Sequence, residues 1–147
     1  MPDSEEASQR TEAHPEFPDI VEPVLDLDLR LLVSMVDSEE NRGTSVSITL
    51  HVPGGIVSGE LIGREEYLDR WDAVATNAGM PGVVGFQRKA AAVLRQAGVR
   101  KPNDLPRWIH LRDAAVLGPN GRLFTFPSWR GRLADVSGWA LGGIREE

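Results

Sequence analysis

Between positions 45 and 52 apolar and polar side chains alternate without a break: Val46, Ile48, Leu50 and Val52 fall on one side, Ser47, Thr49 and His51 on the other. A period of two is the repeat of a β-strand with one buried face. Pro53-Gly54-Gly55 supplies a hairpin turn, and Ile56 to Ile62 forms the return strand, with Gly59 allowing a bend or a close backbone approach. On both sides of this hairpin the period becomes helical. Ahead of it, Pro23 suits a first helical turn, and Leu25, Leu29, Leu32, Val33 and Val36 then recur at helical spacing. Leu27, Leu31 and Met35 widen that apolar face, so the pattern predicts a helix buried on more than one side. After Gly63, Tyr67, Leu68, Trp71, Val74 and Ala75 share a face, and Glu65 and Glu66 complement the positive end of the helix dipole.

A breaker segment, Asn77 to Gly82, separates that helix from another, in which Phe86, Ala90, Val93, Leu94 and Ala97 form one stripe and Gln87, Arg88, Lys89 and Arg95 the polar side. Lys101 to Pro106 reads as a loop. Alternation then returns, with strands predicted at about 107–117, 122–126, 128–136 and 138–144. The fold class is α+β: a leading helix, an antiparallel and strongly bent five-stranded sheet drawn from these six segments, and a two-helix insertion. One helix followed by five bent strands is also the element order of Sm-like small barrels. Both a closed barrel and an open curved sheet with helices on one face fit the pattern.

Length and charge sharpen this picture. The 147 residues hold one domain, placed at 23–147, behind an acidic segment at 1–22 whose few apolar groups predict disorder. Residues 1–23 carry seven acids and Arg10 alone as a base, which is the whole net charge of −6; the remaining 15 acids and 15 bases cancel. A charge-balanced body lacks the self-repulsion that keeps copies apart, and no basic excess marks a nucleic-acid surface. No apolar run approaches the roughly 18 residues of a membrane span, and the amino terminus carries no secretory signal, so the expected location is the cytoplasm.

No catalytic constellation emerges. There is no cysteine, and His51 and His110 have no third ligand at convincing spacing, so neither a metal nor a cofactor is expected. Gly-x-Ser-x-Gly is absent, and Ser58 lies within a hairpin rather than at an exposed elbow. Asp26 and Asp28, two apart near a helix start, do not face each other and serve the helix dipole. Arginine and tryptophan instead crowd the carboxyl half. Both residue types are enriched where protein interfaces gain their energy. Alternation places Trp129 and Trp139 inward and Arg130 and Arg132 on the opposite face, while Trp108, His110 and Arg112 share a strand face as a polar and aromatic strip. The candidate partner-binding residues are therefore Trp108, His110, Arg112, Arg130 and Arg132.

Three segments taken together resemble a known family. They are Gly54-Gly55-Ile56-Val57-Ser58-Gly59-Glu60-Leu61-Ile62 running into Glu66-Tyr67, then Ile109-His110-Leu111, then Trp129-Arg130-Gly131-Arg132-Leu133-Ala134-Asp135-Val136 with Gly138 and Leu141-Gly142 behind it. Over about residues 44–144 the chain resembles the gas vesicle accessory protein GvpU family. The resemblance implies a non-enzymatic cytoplasmic protein that associates with gas vesicles or other vesicle proteins and influences their clustering by self-association. An alternative from the residues alone is an Sm-like homo-oligomeric adaptor that binds peptide or nucleic acid.

Overall fold

The computed structural model describes residues 26–98 and 105–144. The acidic segment 1–22, Pro23, Leu25 and the Lys101–Asp104 part of the predicted loop lie outside the described residues. Helix α1 (Leu27–Asp37) begins where Asp26, in extended conformation, accepts the Leu29 N–H on Oδ1 at 3.1 Å. This satisfies one of the amide donors that every helix start leaves without an intrahelical partner. At the other end Ser38 donates its backbone N–H and its hydroxyl to the Met35 carbonyl. Leu29, Val33 and Val36 are buried against the sheet and Leu32 packs beside them. The expected burial of α1 on a second side does not occur. Leu27, Leu31 and Met35 project from the opposite side, each about half exposed, because α1 forms a single outer layer.

β1 (Val46–Val52) and β2 (Gly55–Ile62) form the predicted hairpin, closed by the Val52–Gly55 pair. Pro53 takes the first corner and Gly54, at φ +87°, the second, the left-handed position a type II turn requires. β3 (Trp108–Leu117) pairs with β2, and their register shifts between Ser58 and Glu60. The extra β3 residue sits at this shift, where Asp113 has φ +48°. A Cβ on Gly59 would stand 2.9 Å from the Arg112 carbonyl oxygen, so the two backbones meet there only because Gly59 has no side chain.

β4 (Leu123–Arg132) is one strand where the sequence pattern suggests two. Pro127 lies inside it and is tolerated because β4 is an edge strand. A 3-10 turn, Leu133–Asp135, buries Leu133 and leads to β5 (Gly138–Leu141), which pairs with β1 on the far side. All neighbours are antiparallel and the order is β4-β3-β2-β1-β5. With β4 and β5 both at edges the sheet is open, and the closed Sm-like barrel is not formed.

α2 (Arg64–Asn77) places Tyr67 and Leu68 on Ile62, whose side chain alternates away from the α1 face. The helices therefore flank both faces of the sheet, not one as expected from sequence. The larger core joins α1 to Ile48, Leu50, Leu61, Ile109 and Leu111 on one face, and Ile62, Tyr67 and Leu68 form a smaller cluster on the other. α3 (Phe86–Gln96) is fastened to α2 by polar contacts. Trp71 donates its indole N–H to the Val83 carbonyl at 3.1 Å, and Asp72 accepts the Gly85 N–H at 2.7 Å. No helix among the described residues is long and apolar enough to cross a membrane.

Candidate interaction surface

The run Trp129-Arg130-Gly131-Arg132 ends β4, and each residue has a separate spatial task. On the core side Leu111 opposes Trp129 and Ile109 opposes Gly131. The Trp129 ring lies along its own strand, over Gly131, and an added Cβ there would fall 2.2 Å from Cη2 of the indole. Glycine thus provides the floor on which the tryptophan rests. Trp129 and Trp139 both pack against the core, the inward placement that alternation predicts. Trp139 also donates its indole N–H to Asp26 Oδ2 at 2.7 Å, which ties β5 to the start of α1.

The arginines between and after these residues alternate to the other face. There Arg132 opposes Trp108, Arg130 opposes His110, and Ser128 opposes Arg112. The five sequence-predicted site residues are thereby brought together on adjoining strand ends. The Arg130 guanidinium carbon sits 3.8 Å from the centroid of the Trp108 ring, a cation–π stack that holds both side chains flat. Trp108 remains 38 % exposed despite this cover. Arg132 forms a bidentate pair with Asp135, at 2.9 and 3.1 Å, which fixes its guanidinium at the rim.

Arg112 donates from Nη2 to the Ser45 hydroxyl at 3.1 Å and lies 3.8 Å from the Asp113 carboxylate. Its Nε is buried without a hydrogen-bond partner among the described residues, so its donor capacity is incompletely used.

His110 differs from the other four. It is only 6 % exposed and lies beneath Tyr67, ring centroids 4.4 Å apart. Burial first, then the positive fields of Arg130 and Arg64, push the imidazole down from its usual 6.5 to about 3. His110 is therefore a neutral support under the strip rather than part of its surface. Tyr67 and Ser45 were not singled out for this region from sequence. Tyr67 was legible as a residue on the apolar face of α2 and at the end of the first family-like segment, but not as a neighbour of His110, and the contact of Ser45 with Arg112 spans 67 positions.

The assembled surface groups three arginines around a partly exposed indole. Planar guanidiniums recognise carboxylates through paired donors, and the exposed part of the Trp108 indole adds apolar area. Among the described residues no group of three or more histidines or acids could hold a metal ion. No curated protein matches the chain. A family model described as gas vesicle protein GvpU-like matches residues 26–144, most of the chain and all of the described fold, and the chain belongs to that family.

Proposed function

We propose that this protein is a non-enzymatic accessory of gas vesicles that works in the cytoplasm, docks on shell or other accessory proteins, and influences vesicle clustering by self-association. Family membership supports the vesicle context. The observation that carries the docking surface is the stack of Arg130 on Trp108, with Arg132 and Arg112 beside it and His110 beneath. Its chemistry suits an acidic, partly apolar patch on the partner.

Flotation tests the reading. Purified protein mixed with gas vesicles should rise with them at low salt, and a Trp108→Ala, Arg130→Ala variant should stay behind. Equal recovery of the wild type with and without vesicles would refute vesicle association; equal flotation of the variant would move the contact elsewhere.

The element order favours a second reading, an Sm-like homo-oligomeric adaptor for peptide or nucleic acid. A leading helix and five antiparallel strands, with a 3-10 turn before the last, follow in that order once the α2–α3 insertion between β2 and β3 is set aside, although here the sheet stays open. Filter binding of single-stranded RNA at low salt separates the two, since even weak electrostatic binding registers there.

A further inference from the structure

Helix α3 turns Gln87 and Arg88 toward α2, while Lys89 and Arg95 stay exposed. Arg88 reaches three α2 carboxylates, Asp72 and Asp69 at 2.8 Å and Glu65 at 3.3 Å, and Gln87 donates to the Tyr67 hydroxyl. These contacts fix the rotation of the helix. Phe86, Val93 and Leu94 consequently face away from the body with the half-buried Ala90 beside them, and no α3 residue is fully buried. Across the sheet, α1 presents Leu27, Leu31 and Met35 on its outer side. The six large side chains of the two stripes are between 51 and 63 % exposed.

We propose that these two stripes are the two halves of one contact between successive copies of the protein, α1 of one copy lying against α3 of the next. Three observations support a second copy as the occupant. First, the stripes match in spacing: Leu27-Leu31-Met35 and Phe86-Ala90-Leu94 are both ridges of every fourth residue, and the small Ala90 opens a gap for a leucine from the facing ridge. Second, their flanks have opposite charge. Residues 26–41 carry Asp26, Asp28, Asp37, Glu39 and Glu40 against Arg30, whereas α3 carries Arg88, Lys89 and Arg95 with no acid. Arg88 is already committed to α2, but Lys89 and Arg95 form no ion pair among the described residues.

Third, α1 and α3 lie on opposite sides of the sheet, so the stripes cannot meet within one molecule. A contact between two different patches adds copies head to tail, and it grows openly unless the geometry closes a ring. Six side chains giving up on the order of 100 Å2 each provide roughly a third to a half of the area of a stable dimer. The contact is therefore reversible and depends on concentration.

This inference rests on the self-association reading, and sedimentation velocity separates the two. The probes are a Leu31→Glu variant, which disables α1, and a Val93→Lys variant, which disables α3; both positions are exposed, and circular dichroism verifies folding. Wild-type protein should grow in mass with concentration. Each variant alone should remain monomeric, with association weakened about tenfold or more, and an equimolar mixture should form dimers and stop. A Lys89→Glu, Arg95→Glu variant, which removes no packed contact, should also lose growth.

Dimers formed by the Leu31→Glu variant alone, or growth of the variants equal to wild type, would overturn the α1–α3 contact while leaving self-association standing. A wild type that stays monomeric at every concentration would overturn both.

Discussion

Replacing Gly131 by alanine isolates the packing of the Trp-Arg-Gly run. The backbone permits the change, because Gly131 has no left-handed φ. The obstacle is the indole of Trp129, whose Cη2, Cζ3 and Cζ2 would lie 2.2, 2.7 and 3.0 Å from the new methyl. Ordinary carbon contacts begin at about 3.5 Å, so the ring must retreat by roughly 1.3 Å. That retreat lifts it off the core residues against which it packs. Overpacking of this kind costs about 1–3 kcal/mol, and about 2 kcal/mol is expected here, since Trp129 is only partly buried.

A double-mutant cycle supplies the control. With Trp129→Leu the ring is gone, and alanine should then be favoured over glycine by about 0.5–1 kcal/mol from backbone entropy alone. Gly131→Ala should thus reverse sign between the two backgrounds, a coupling of roughly 3 kcal/mol, within the range seen for residues in contact. Urea unfolding followed by circular dichroism measures all four corners. An equal cost in both backgrounds would refute the idea that the glycine exists for the ring.

Two further outcomes follow from the site and the insertion. His110 is held neutral in the folded protein down to about pH 3, against a usual value of 6.5. In that window the unfolded chain binds the extra proton, so stability is complete above pH 6.5 and falls by up to about 1.4 kcal/mol per pH unit on acidification. Wild-type unfolding measured from pH 7 to 4 should show that added slope relative to His110→Gln; equal slopes would mean that the imidazole titrates freely. Arg88→Met should loosen α3 with little effect on the sheet. Its ion pairs are partly solvated, with Arg88 37 % exposed, so the loss is about 1 kcal/mol. Amide exchange should accelerate in Phe86–Gln96 and stay unchanged in β1 and β2.

The β1–β2 hairpin was fully legible because a period of two and a Pro-Gly corner are both local signals. The joining of Trp108 with Arg130 was legible only by half. Alternation gave each side chain its face, but the pairing of β3 with β4 depends on one long strand running through Pro127, which the local breaker signal divides. The burial of His110 was hidden for another reason: which sheet face α2 covers is set by long-range contacts such as Tyr67 on His110. For α3 the periodicity located the apolar stripe but not its direction. Burial of apolar area normally turns such a stripe inward. Here the carboxylates of α2 hold Arg88 on the inner side, and no pattern within α3 itself records them.

Pro127 has a consequence for how copies of this protein can gather. An exposed margin of sheet invites foreign strands to add on, and that route ends in insoluble fibrils. On the longer margin, β4, an incoming strand meets an imino acid near the middle of its run. Extension past that point is blocked by a ring and a missing amide hydrogen. On that margin the irreversible path by way of the backbone is obstructed, and association there is left to side chains that can release again.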